Sequence, residues 1–158
     1  PPSVVDPTDL ENYLRVIVVF ARPTNSHAVR GLVHMTNLNA FLQTMPAQRA
    51  DGTDGPEVRE RGILRVILND DEADAADCWC NMDQHGADPA YVLNPIATRI
   101  FEDQPIYGNV VITGAVDLED SAITDAPGWM VERLAEMGVL AMEPDGDERI
   151  SLMELLAF

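Results

Sequence analysis

Three runs of the chain are rich in β-branched and other apolar residues, a pattern typical of buried strands. They cover residues 13–21, 62–69 and 109–116, and a shorter run at 139–142 predicts a fourth, short strand. Residues 22–33 lack such a run and are predicted to form a loop or an irregular connection. The hydrophobic pattern therefore predicts three to four strands.

Helical signals fall between and after these runs. Thr36 is a candidate N-cap for a helix over residues 37–45, which carries apolar side chains at helical spacing. The Asn94-Pro95 pair is a favourable start for a second short helix, ending near residue 101. A third helix is predicted over residues 127–137.

Two further signals concern helix ends. Gly138 follows the third predicted helix and is a plausible residue for ending it, because glycine adopts the left-handed conformation common there. Ser151 and Glu154 have the spacing of a capping box and predict a last short helix.

Together these elements predict an α+β fold, a single domain in which short helices pack on the sheet. At 158 residues the chain has the length of one domain. Residues 1–12 are expected to be an extended lead-in and residues 13–158 the domain. Within the domain, residues 46–56 are expected to form a flexible loop and residues 70–88 an acidic loop.

The charge is distributed very unevenly. The net charge is −17, and the chain contains no lysine. Residues 1–65 hold seven acids and seven arginines, whereas residues 66–158 hold twenty acids and three arginines. Charge of this kind bears on solubility and partners and not on the fold.

Most of these acids fall in predicted connections, which lie at protein surfaces. A domain of this length has a diameter of ~39 Å, and a DNA duplex of the same length carries about 23 phosphates. The net charge of −17 is therefore comparable to the charge of such a duplex. The sequence thus predicts an acidic, partner-binding surface, and one interpretation of this surface is that it mimics DNA. Its residues are Asp70, Asp71, Glu72, Asp74, Asp77, Glu102, Asp103, Asp117, Glu119, Asp120, Glu143, Asp145, Asp147 and Glu148.

A second interpretation gives the acids no specific partner. They would then only keep a small accessory or regulatory protein soluble, as in proteins adapted to high salt. Halophilic acidity is expected along the whole chain, however, and residues 1–65 are neutral.

A third interpretation is a zinc-dependent protein that uses Cys78, Cys80 and His85, since thiolate and imidazole are zinc ligands.

For the zinc interpretation, Asp77, Asp83, His27 or His34 are candidate fourth ligands. The C-x-C spacing differs from the usual paired zinc motif, and the alternative is two buried cysteines flanking Trp79. No nucleophile–base motif is present, so we assign no catalytic residue and expect a non-enzymatic protein without a cofactor.

The composition also disfavours several partners. An acidic surface repels nucleic acid and anionic lipid, so direct binding to either is not expected. The chain has no apolar run of membrane-spanning length and no signal-peptide pattern. Its two cysteines are separated by one residue, where a disulfide would be strained, and this favours reduced thiols. We therefore expect a cytoplasmic protein, and a homodimer is compatible with the sequence.

Residues 91–114 resemble a family of small uncharacterised proteins from actinobacteria and their phages. The resemblance rests on an N-x-x-A-T helix start and a G-x-V-V-I-x-G strand, here Asn94, Ala97, Thr98, Gly108, Val110, Val111, Ile112 and Gly114. It implies a phage or mobile-element setting and no particular activity. With the charge, it favours an acidic protein that binds a basic host protein, one that handles nucleic acid, and modulates it.

Overall fold

The computed structural model describes residues 5–21, 26–38, 41, 61–67, 75–81, 92–101, 105–115, 123–140 and 151–152. They form one antiparallel sheet in the order β2-β1-β5-β4-β3, with β6 paired to β5. The strands are β1 Tyr13–Phe20, β2 His27–His34, β3 Arg61–Ile67, β4 Ala75–Asn81, β5 Val110–Ala115 and β6 Ile123–Thr124. The helices are α1 Pro95–Ile100 and α2 Gly128–Glu136, with short 3-10 helices at Pro7–Asn12 and Met35–Asn37.

The predicted α+β class is confirmed, but the predicted number of three to four strands is too low, because the described residues form six strands. The three long apolar runs correspond to β1, β3 and β5. The loop predicted over residues 22–33 is wrong from residue 27 onward, where β2 forms. The acidic loop predicted over residues 70–88 is wrong over residues 75–81, where β4 forms. Both strands are poor in β-branched residues, and pairing with a neighbouring strand compensates for this weak local preference.

Both faces of the sheet bury apolar side chains. On one face, Ile17 and Val19 of β1 pack with α1 and α2. On the other face, Val16 and Val18 pack with Phe41 and other buried residues. Because side chains alternate along a strand, β1 supplies both layers of the core.

Helix α1 starts where the Asn94-Pro95 pair predicts it. Asn94 is completely buried, and its Oδ1 accepts the backbone N–H of Ala97 at 3.1 Å. Its Nδ2 donates to the carbonyl oxygens of Val19 at 3.2 Å and Gly108 at 3.0 Å. One side chain therefore caps α1 and joins it to β1.

Helix α2 also follows its prediction. It begins at Gly128, with Pro127 as N-cap, and buries Met130 and Leu134. Gly138 has a φ of 71°, the left-handed conformation expected of a helix-ending glycine. The sequence pattern therefore located both ends of this helix to within one residue.

Other predictions are only partly covered by the described residues. Residues 38 and 41 of the helix predicted over residues 37–45 are helical, and its Thr36 cap stays a prediction. A separate 3-10 helix at Met35–Asn37 is capped by His34, whose Nδ1 accepts the N–H of Thr36 at 3.2 Å. Leu140, in the predicted fourth strand, forms only an isolated bridge to Ala28. The loop predicted over residues 46–56, residues 39–40 and 42–45 of the predicted helix, and residues 153–158 lie outside the described residues.

Candidate functional site

One end of the sheet is marked by a single row of paired residues. Ile67 of β3 pairs with Ala75 of β4, Ala75 pairs with Ala115 of β5, and Ala115 pairs with Ile123 of β6. The chain therefore leaves the sheet and returns to it twice at this row, once between β3 and β4 and once between β5 and β6. We call this row, Ile67, Ala75, Ala115 and Ile123, the acidic end, because the two connections that join it are rich in acidic residues.

Each of the two connections at the acidic end has seven residues. Together they hold seven acids and no basic residue. Two predicted acidic clusters, distant in sequence, thus belong to connections whose first and last neighbours in the sheet share this row. Their members are Asp70, Asp71, Glu72, Asp74, Asp117, Glu119 and Asp120, which lie outside the described residues.

The other predicted clusters are attached elsewhere. Glu102 and Asp103 fall between the residue that follows α1 and Pro105. Glu143, Asp145, Asp147 and Glu148 fall between Leu140 and Ser151, which bridge to Ala28 and Leu32 of β2. All six lie outside the described residues. The connection that holds the last four ends at Ser151, whose bridge partner Leu32 pairs with Arg15, one residue-row from the acidic end.

Asp77 does not belong to an exposed acidic surface. It lies within β4 and is only 3% exposed, so its assignment to the partner-binding surface is corrected. Its register partners are Arg65 of β3 and Thr113 of β5. Thr113 is completely buried and accepts a hydrogen bond from Nε1 of Trp79 at 2.9 Å. Strand alternation therefore places Asp77 in an ordered part of the sheet, where sequence reasoning expected a solvated loop.

The candidate zinc ligands are only partly described. Cys78 is a free, completely buried cysteine in the apolar cluster that includes the helices. Asp77 precedes it in the strand and so points to the opposite face, which removes Asp77 as a shared ligand. The side chain of Cys80, together with Asp83 and His85, lies outside the description, so the zinc interpretation stays a prediction.

Neither of the distant histidines lies with Cys78 in a metal cluster. His27 stacks on Phe20, with ring centroids 5.2 Å apart, and His34 packs edge-on against Tyr13 at 4.9 Å. Among the residues that the structure describes, no three His, Cys, Asp or Glu side chains are grouped so as to hold a metal ion.

The structure also contains a cavity of about 370 Å³ that sequence reasoning did not find. It lies between β1, β2 and the start of α2, and four charged residues line it: Arg15, Arg30, Asp125 and Glu132. Asp125 also fixes one wall, because its Oδ1 accepts the backbone N–H of Arg15 at 2.8 Å. No local motif links residues that lie 110 positions apart, so the sequence offered no signal for this cavity.

Comparisons with protein-family models, with curated proteins and with solved structures found no match to this chain. Within the described ranges, none of the helices is long and apolar enough to cross a membrane.

Proposed function

We propose that this chain is a non-enzymatic, cytoplasmic protein that binds a basic protein through the acidic end of its sheet. The partner class is a protein that itself handles nucleic acid, whose basic surface would otherwise contact phosphates. The resemblance of residues 91–114 to phage proteins fits this role, in which a phage or mobile-element product modulates a protein of its host.

The observation that carries the proposal is the row formed by Ile67, Ala75, Ala115 and Ile123. Two acidic connections that are about 50 residues apart in sequence start and finish at this one row. A field built from two segments at one place attracts a basic surface more strongly than the same charges dispersed, and it speeds association at low salt.

A solubilising coat is the competing explanation, and it makes a different prediction. A coat requires only net charge, so its effect is independent of where the acids are attached. Specific binding depends on the acids at the acidic end and only weakly on those elsewhere. Two variants with equal changes in net charge therefore separate the explanations.

The acidic-end variant is Asp117→Asn, Glu119→Gln and Asp120→Asn. The control variant is Glu102→Gln, Asp103→Asn and Glu136→Gln, whose positions are not in the acidic-end connections and whose Glu136 is exposed on α2. Each variant raises the net charge by three. The full-length chain is immobilised, and a nucleic-acid-binding protein is recovered from a host lysate at low salt and identified. Its association rate with each variant is then measured.

We expect the association rate at low salt to fall about tenfold for the acidic-end variant and less than twofold for the control variant. We also expect duplex DNA to compete with the chain for the partner. Equal losses in the two variants would support the solubilising coat instead. Recovery of no nucleic-acid-binding protein, or binding that duplex DNA does not compete, would overturn the proposal.

A further inference from the structure

The cavity beside α2 combines charged and apolar walls. Its volume of about 370 Å³ is in the range of small-molecule sites. Ile17 and Val131 contribute apolar surface, and Gly31 and Gly128 line it without side chains of their own. An ideal Cβ placed on Gly128 would meet nothing within 4 Å, so this part of the wall is open.

Two arginines line this one cavity, Arg15 from β1 and Arg30 from β2. The register pairs Arg30 with Ile17, two residues from Arg15, so both arginines belong to the sheet face that α2 covers. A guanidinium has five N–H donors, so each can contact an anion while keeping another partner. Two guanidinium groups on adjacent strands form a suitable arrangement for a planar carboxylate.

Two carboxylates, of Asp125 and Glu132, line the same cavity. Formally they balance the two arginines, so the cavity has no net charge. A phosphate dianion is therefore disfavoured, and a single carboxylate depends on local contacts with the guanidinium groups. Asp125 is already engaged with the backbone N–H of Arg15 and helps to shape the wall. Glu132 is exposed on α2 and opposes an anionic ligand. The apolar wall residues favour a ligand with a small apolar body.

We propose that this cavity binds a small organic carboxylate, with its carboxylate group at Arg15 and Arg30 and its apolar body against Ile17 and Val131. None of the lining residues belongs to the acidic connections, but the site lies beside the acidic end, because Arg15 is hydrogen-bonded to Asp125 and Ala126, two and three residues after Ile123. It adds a small-molecule ligand to a protein whose charge otherwise favours basic partners.

Benzoate is the probe, and neutral benzamide, of nearly the same shape, is the matched control. Titration of the full chain by isothermal calorimetry and by amide NMR is expected to give a dissociation constant in the millimolar range for benzoate. Benzamide is expected to bind at least tenfold more weakly. Equal binding of the two compounds, or no binding of benzoate up to about 50 mM, would overturn the proposal.

Charge variants of opposite sign sharpen the test. Arg30→Gln is expected to weaken benzoate binding about tenfold, because it removes a charged hydrogen-bond donor. Glu132→Gln is expected to strengthen it several-fold, because it removes a repelling carboxylate. The exposed residues Arg99 and Glu136 provide the matched controls Arg99→Gln and Glu136→Gln, each expected to change the affinity less than twofold.

Arg15 provides a second test should Arg30→Gln not fold, since its side chain is exposed. Arg15→Gln is also expected to weaken benzoate binding, by at least threefold. Unchanged affinity in both arginine variants would refute the assignment of the carboxylate to these residues. If each control matched the change seen in its test variant, overall net charge and not the cavity would be responsible.

Discussion

Gly114→Ala is expected to destabilise the protein by about 3 kcal/mol or more, or to prevent folding. A Cβ at this position would overlap the carbonyl oxygen of Asp125 and lie 2.6 Å from Oγ1 of Thr124. The first of these atoms belongs to the backbone and cannot rotate away. The segment that follows β6 would have to move off β5, and the change would appear as a lower midpoint in urea unfolding.

That movement would affect more than one strand. The displaced segment also holds β1, because Ala126 donates its N–H to the carbonyl oxygen of Arg15 at 2.9 Å, and Asp125 accepts the N–H of Arg15 at 2.8 Å. We therefore expect Gly114→Ala to disturb the amide signals of both β1 and β6.

Gly128→Ala is the control for this substitution. An added Cβ there meets nothing within 4 Å, and alanine is the better helix former. This variant is expected to unfold within about 1 kcal/mol of the original chain. A Gly114→Ala protein as stable as Gly128→Ala would contradict the close crossing of the segment over β5.

Local signals located those elements that depend on local chemistry. The β-branched run of β1, the Asn94-Pro95 start of α1 and the Gly138 end of α2 each have a preference built into a few neighbouring residues. β2 and β4 lack such a preference and are strands because neighbours pair with them. No window of sequence contains that information.

The functional features divide in the same way. The acidic clusters could be read from composition, but their attachment to one row depends on the register of β3, β4, β5 and β6. The burial of Asp77 depends on the same register. The cavity forms where Arg15 contacts Asp125, which lies 110 positions later in the sequence. The local sequence around Arg15 does not predict this contact.

Asn94→Ala is expected to cost about 3 kcal/mol of folding free energy. The loss of the cap on α1 contributes about 1 kcal/mol. The carbonyl oxygens of Val19 and Gly108 also lose a donor in a completely buried place, which contributes about 1–3 kcal/mol. Urea unfolding measures the loss, and Asn37→Ala, at an exposed position, is a control expected to change stability by less than about 0.5 kcal/mol.

Asn94→Asp separates the two roles of this side chain. Aspartate keeps an oxygen that can accept the N–H of Ala97, and it is as good a helix cap as asparagine. It also places a second carboxylate oxygen where Nδ2 donates to two carbonyl oxygens, and a buried, unpaired charge is unfavourable. If Asn94 acted only as a cap, Asn94→Asp would be as stable as the original chain. We expect it instead to be at least as unstable as Asn94→Ala, because the link from α1 to β1 depends on the amide donor.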